Sequence, residues 1–285
     1  MTAWRASGLW HWRPRWGHKV PWLSLKILVT LIYLFIFLPI LVTAAVSFNE
    51  SNRSQFPPEG FTLVWWQEAL SAEWVDPLLF TLKLAFLTGL IACILGTPLA
   101  FAFVRYRFRG REALLTLSLG PLFLPALVSS IGLLQFLHIA GLGDFLGFWA
   151  LLVGHAVISL PFVVRTVAIS LHTMPPNLEL AAASLGARPW RVLAEVVFPI
   201  IKAGIIAGAV FAFINSFVDI NMSLFITVAG EQPISIRLLD SIVYGFPPTL
   251  AAVAVISLLV PLLVVIAIER MVQLRDFILV DAHHE

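Results

Sequence analysis

Six long apolar stretches, each able to cross a lipid bilayer, constrain this chain more than any other feature. Five are runs of 20 to 28 residues without Asp, Glu, Lys or Arg, and the sixth, Ala203–Ala229, has 27 residues with one acid, Asp219. A helix of about 20 apolar residues spans roughly 30 Å of hydrocarbon. The 285 residues are 60% hydrophobic and 12% charged, about half the charge of a soluble domain. We therefore predict an all-α integral membrane protein with six transmembrane helices.

The predicted organisation places one span before a long external loop and five spans after it. A basic, Trp-rich N-terminus over residues 1–26 comes first, the external loop covers residues 49–77, and a core over residues 78–271 is followed by a tail over residues 272–285. The spans are predicted at residues 27–48, 78–104, 113–137, 145–171, 203–229 and 248–271.

The basic residues predict the orientation. Of the 18 Lys and Arg residues, 15 fall in the N-terminus, residues 105–112, residues 165–202 and the C-terminus. Loops rich in Lys and Arg stay in the cytoplasm, so both termini are expected there, in a bacterial inner membrane. A basic N-terminus can bind nucleic acid, but its interleaved tryptophans favour the lipid bilayer as partner, and no nucleic acid is expected.

Residues 172–199 form a connection that is too polar and too short to be a span. Asn177 can cap a helix, Gly186 is suited to end it, and Pro189 fits the first turn of a second helix. Apolar residues recur at spacings of three and four, as on one face of a helix: Leu178, Ala181, Ala182 and Leu185. This helix–turn–helix is either an amphipathic linker on the membrane or an element that docks in the groove of a partner.

The same residues resemble the "EAA" loop of permease subunits in binding-protein-dependent ABC importers. The stretch Leu180–Ala187 reads LAAASLGA, and Phe198-Pro199 and Gly204-Ile205 follow. The family pattern is Glu-Ala-Ala-x-x-x-Gly before a Leu-Pro-like step, so Leu180 stands where the family has glutamate, with Glu179 as the nearest acid. The resemblance covers roughly residues 80–270 and implies a MetI-like type I ABC importer permease.

The resemblance also implies partners and a site for them. In this family the loop couples the permease to an ATPase, a role carried over to Glu179, Leu180, Ala181, Ala182, Leu185, Gly186 and Pro189. The implied partners are a cytoplasmic dimer of ATP-binding subunits, a second permease in a heterodimer, and a periplasmic solute-binding protein. The sequence has no phosphate-binding Gly-x-x-x-x-Gly-Lys motif, so ATP and magnesium would bind to the partner. No enzymatic, cofactor or metal site is expected in this chain.

Polar residues in the fifth span suggest a translocation path. Asn215, Ser216, Asp219 and Asn221 lie in Phe213–Ala229, a stretch that resembles the polyamine-type branch of the family, as do residues 234–257. Asn215 and Asp219 would share a helix face. An acid inside a span needs a wet cavity or a partner, so these residues either line the path or form a structural cluster. An opine, phosphonate, ferric iron or amino acid-like solute is the alternative to spermidine or putrescine.

Two other classes of membrane protein are weighed against the importer. An ion-coupled secondary transporter or channel would need no ATPase, but we find no inverted repeat and no set of ionisable residues across several spans. A membrane enzyme or scaffold would need clustered His, Asp or Glu. His155, alone in the fourth span, is expected to be hydrogen-bonded between helices rather than to act as a ligand.

Overall fold

The computed structural model describes residues 22–175, 177–245 and 247–281, which are helical apart from loops and two isolated bridges. Segment Val192–Val197 is a π-helix, and Gly120–Leu122 and Gly143–Phe145 are 3-10 turns. The α-helices are α1 (Trp22–Val46), α2 (Val64–Ala69), α3 (Ala72–Arg105), α4 (Arg111–Leu119), α5 (Ala126–Ile139), α6 (Phe148–Thr173), α7 (Asn177–Ser184), α8 (Pro189–Arg191), α9 (Phe198–Val218), α10 (Asn221–Ile226), α11 (Ile234–Tyr244) and α12 (Pro248–Asp281).

Within the described ranges, five helical segments are long and apolar enough to cross a membrane, and a bent pair would make a sixth. The predicted span 113–137 is that pair: Arg111–Leu122 and Ala126–Ile139 meet at 106°. Pro121 and Pro125 lie at the break. Proline removes a backbone donor, and the residue before it disfavours the helical conformation. The predicted span at 113–137 is therefore made of two helices joined at a sharp bend.

The predicted span 203–229 also differs from the structure, because α9 ends at Val218. Asp219 has an extended backbone, with φ −68° and ψ 127°, and α10 starts again at Asn221. The Asp219 carboxylate accepts a hydrogen bond from the Met222 amide at 2.8 Å. Such local bonds from a side chain compete with the helical ladder. Asn215 and Asp219 nevertheless face the same helix: Asn215 donates to Ser159 of α6 at 3.2 Å, and Asp219 lies 3.7 Å from His155, one turn earlier on α6.

The core of the fold is the contact of α3, α6 and α9. Glycines allow this close approach: a Cβ on Gly96 would lie 2.9 Å from Val163 Cβ, and one on Gly204 would lie 2.8 Å from the Thr166 carbonyl oxygen. Gly208 meets the same stretch of α6. Small residues at helix crossings let van der Waals packing hold helices together inside a membrane.

The two ends of the chain lie outside this core. Of the predicted N-terminus, residues 1–21 lie outside the described part, and residues 22–26 are already the start of α1. Residues 22–41 of α1 are exposed throughout and the helix packs on α12. The predicted tail over residues 272–285 begins as a continuation of α12, which runs to Asp281.

Near the start of α3, a small cap of α2 and α11 covers the bundle. Trp65 donates its indole N–H to the Asn49 carbonyl at 2.7 Å, and Thr249 of α12 donates to Glu68 at 2.9 Å. Arg237 of α11 forms an ion pair with Glu73. This cap lies at the opposite end of α3 from Arg105, the residue that contacts α7.

Candidate coupling surface and translocation path

Helix α7 is attached to α3 by an ion pair. The Arg105 guanidinium, in the last turn of α3, lies 2.7 Å from the Glu179 carboxylate, with side-chain exposures of 16% and 24%. Arg105 also donates to the Met174 carbonyl at 3.4 Å. Ala182, three residues after Glu179 and so on the same face, packs against the hydrophobic core. Glu179 and Ala182 therefore form the inner face of α7.

The opposite face of α7 is exposed and largely apolar. Leu180 is 69% exposed and Leu185 is 90% exposed, and Ala181 and Ser184 are exposed between them. Gly186 ends the helix with φ +83°, a left-handed conformation that favours glycine. The predicted stripe is thus divided, since Ala182 faces the core while Ala181 and Leu185 face outwards.

The second helix of the predicted helix–turn–helix starts at Pro189 as expected, but its continuation is unusual. Only Pro189–Arg191 is α-helical before the π-helix at Val192–Val197, which leads into α9. A π-helix bonds residues five apart, and the buried residues Val192 and Val197 have this spacing. An α-helical continuation would place Val192, Val196 and Pro199 on one face, whereas in the structure Val196 is half-buried and Pro199 is exposed.

A buried polar cluster joins α3, α6 and α9. His155 of α6 and Ser216 of α9 are each 1% exposed, and the His155 Nδ1 atom lies 2.7 Å from the Ser216 hydroxyl. Ser216 donates onwards to the Thr88 hydroxyl of α3 at 3.3 Å. His155 is thus hydrogen-bonded between helices, as the sequence predicted. Thr88 was missed, because an isolated threonine in an apolar span gives no sign of its partner.

Asp219 lies at the edge of this cluster, in the break between α9 and α10. Its side chain is 9% exposed and one carboxylate oxygen lies 3.7 Å from His155 Nε2. The Ser223 hydroxyl is 3.5 Å from the same nitrogen. The Asp219 carbonyl accepts a bond from Ser235 of α11 at 3.1 Å. Residues of α6, α10 and α11 therefore stabilise this break together.

The two predicted asparagines lie at less buried positions. Asn215 is half-buried and donates its amide to the Ser159 hydroxyl of α6 at 3.2 Å. Asn221, half-buried, is the first residue of α10. Of the four predicted path residues, Ser216 is enclosed in the protein, and Asn215, Asp219 and Asn221 keep some exposure. Among the described residues, no group of three or more His, Cys, Asp or Glu is placed to hold a metal ion.

Comparison with known proteins decides the family. Residues 92–275 match the family described as "Binding-protein-dependent transport system inner membrane component". The chain belongs to this family. The permease is 31% identical over 243 residues to the spermidine/putrescine transport system permease protein PotC of Escherichia coli (strain K12), covering 84% of this chain and 90% of PotC. It is 26% identical over 247 residues to the putrescine transport system permease protein PotI of the same strain, covering 84% and 86%.

The fold of the permease is also found among solved structures. A bacterial ABC transporter involved in the import of the acidic polysaccharide alginate aligns with a TM-score of 0.67 and 16% identity, covering 88% of this chain and 94% of that one. This likeness concerns the fold. The family predicted from the loop is thus confirmed: this is an ABC importer permease, a multi-pass protein of the inner membrane.

Proposed function

We propose that this permease, paired with a different second permease, forms the path by which a polyamine such as spermidine or putrescine crosses the inner membrane. A periplasmic binding protein delivers the solute, and a pair of cytoplasmic ATPase subunits drives the movement. The observation that carries this proposal is the 31% identity to PotC over 84% of the chain. The similarity to PotI, a putrescine permease, points to the same class of solute.

Asp219 is the residue proposed to meet the solute. A polyamine carries several ammonium groups, and a carboxylate beside the path would offset part of the cost of removing their water. Asp219 has about four acceptor sites, and the backbone amides of Met222, Ser223 and Asn221 are directed at its carboxylate, so about one site is left for an ammonium donor. Asn215 and Asn221, half-buried on either side of the break, would add amide oxygens.

Coupling is proposed to run through residues 172–199. Both termini and this loop would face the cytoplasm, where ATP-driven closure of the ATPase dimer pulls on α7 and α8. Movement would reach Asp219 along α9, which continues from the π-helix to Val218. The cavity then alternates between the two sides of the membrane if the ATP-bound and ATP-free forms of the ATPase favour different states of the permease.

The solute alternatives differ in charge, which makes them separable. An opine, a phosphonate, ferric iron or an amino acid-like solute stays the competing possibility, since the likeness to the alginate importer shows that this fold also serves an acidic polysaccharide. The ion-coupled transporter or channel is set aside, because the family consists of binding-protein-dependent transport components.

The test is uptake of radiolabelled spermidine and putrescine by cells that lack their own polyamine importers. The cells receive this permease with the second permease, binding protein and ATPase encoded beside it. Asp219→Asn should lower uptake about tenfold or more, the equivalent of one lost charge-assisted hydrogen bond. Glu112→Gln, the same charge change at a 79% exposed side chain, is the matched control and should transport normally.

Two results would count against the proposal in different ways. Absence of polyamine uptake above background, with all four subunits present in the membrane, would reject polyamine as the solute. Normal uptake by Asp219→Asn would reject Asp219 as part of the path and leave the solute assignment standing.

A further inference from the structure

The acid of the coupling helix does not face outwards. Glu179 of α7 lies 2.7 Å from Arg105, and both side chains are largely covered. Removing one partner of such a pair leaves the other charge partly buried and uncompensated. Glu179 is therefore committed to α3, and Leu180 is the side chain that α7 presents at the position where the family pattern has glutamate.

The exposed large side chains of the loop are mainly apolar, and exposed arginines follow Gly186 in the chain. Leu180, Leu185 and Trp190 are 69%, 90% and 59% exposed. Arg188 is exposed, and Arg191 keeps 58% of its side chain exposed while it lies 4.0 Å from Glu195 and against the Trp190 ring. Exposed large apolar side chains grouped with charged ones at the rim are typical of a protein–protein interaction site.

We infer that the ATPase subunit receives Leu180 in an apolar groove and places acidic side chains at the rim that faces Arg188. This inference rests on the proposed docking of the ATPase on residues 172–199. If the groove carried a basic residue to pair with the family's glutamate, that residue would be buried against Leu180 without a partner. Such an unpaired charge is costly, whereas an apolar lining gains from covering Leu180 and an acidic rim complements the arginine.

The test measures how much ATPase stays bound to the permease. The tagged chain is expressed with its second permease and its ATPase, purified in mild detergent, and the ATPase per permease is quantified. Leu180→Glu should lower the retained ATPase about tenfold, because a carboxylate would enter an apolar groove. Leu180→Met, an apolar residue of similar volume, should retain it. Arg188→Glu should lower retention as well, through repulsion from the rim.

The results test the apolar groove and the docking of the ATPase separately. Leu180 is exposed, so its replacement should leave the fold intact, and retention of the second permease on the tagged chain checks this. If Leu180→Glu binds as much ATPase as the unmodified chain, or more, the groove is not apolar and the inference fails while docking stands. If the unmodified chain retains no ATPase, the proposed coupling function and the inference fail together.

Discussion

Gly204→Ala should weaken the crossing of α6 and α9, on which the bundle depends. A Cβ at residue 204 would lie 2.8 Å from the Ser170 Cβ atom and 2.8 Å from the Thr166 carbonyl oxygen. Ordinary van der Waals contact begins at 3.4 Å. The serine can adjust in part, but the carbonyl belongs to the α6 backbone. The helices must therefore separate by about 0.6 Å at this point.

The size of the effect follows from two opposing terms. Overpacking a well-packed site costs about 1–3 kcal/mol, and alanine in place of glycine within a helix returns about 0.5–1 kcal/mol. The net loss should lie between about 0 and 2.5 kcal/mol, with a midpoint slightly above 1 kcal/mol. Gly132→Ala is the matched control, because Gly132 lies within α5 and a Cβ there meets no atom within 4 Å. Gly132→Ala should therefore show only the stabilisation that alanine brings to a helix.

The assay is reversible unfolding of the purified permease in mixed micelles of mild detergent and SDS, followed by circular dichroism. Gly204→Ala should unfold at a lower SDS fraction than the unmodified chain, and Gly132→Ala at an equal or higher one. The difference between the two variants isolates the steric term, about 1–3 kcal/mol. Equal stability of the two alanine variants would refute the reasoning that backbone contact at residue 204 holds α6 against α9.

Three further substitutions test other contacts. His155→Ala should cost about 2–5 kcal/mol, since it opens a cavity and leaves buried hydroxyls without a partner; thermal unfolding in detergent measures this, and a loss under 1 kcal/mol would contradict it. The Cβ added by Gly186→Ala meets no atom within 4 Å, but alanine in this left-handed conformation costs about 1–2 kcal/mol. The amount of ATPase retained on the permease should therefore fall, and it should fall less for Gly186→Asn. Thr249→Val removes the bond to Glu68 and should cost about 1–3 kcal/mol, which a loss of thermal stability would show; unchanged stability would argue against the contact.

The spans that the sequence predicts well are those in which apolar length is the dominant signal. Helix α3 covers the whole predicted second span, 78–104, and α6 covers all but the first three residues of the predicted fourth span, 145–171. The helix–turn–helix was also accessible, because Gly186 and Pro189 act through their own backbone restrictions. These are local causes, so a single sequence is enough to recognise them.

The break at Asp219 could not be predicted because two of the three contacts that hold it join distant parts of the chain. Residues 203–229 carry one charged residue, Asp219, and no proline, so the pattern favours one helix. In the structure, the interruption is secured by Met222 N, by the Ser235 hydroxyl of α11 and by the nearby His155 of α6. The last two contacts join residues 16 and 64 positions apart, and no periodicity along the chain encodes them.

The bend in the third apolar stretch is an intermediate case. Pro121 and Pro125 were visible, but prolines are frequent in membrane helices and many are accommodated by small kinks. A turn of 106° depends on how α4 and α5 pack. Helix α5 packs mainly with α10, whereas α4 packs with α6. The two halves of the bent pair therefore have different neighbours.

The π-helix at Val192–Val197 changes the rotational register between α8 and α9. Its backbone bonds reach residues five apart, whereas those of the adjoining α9 reach four. A turn that closes over five residues instead of four rotates the faces of α9 relative to α8, compared with an uninterrupted α-helix. Because Val192 and Val197 hold this segment in the core, this offset determines which residues of α9, among them Gly204, face α6.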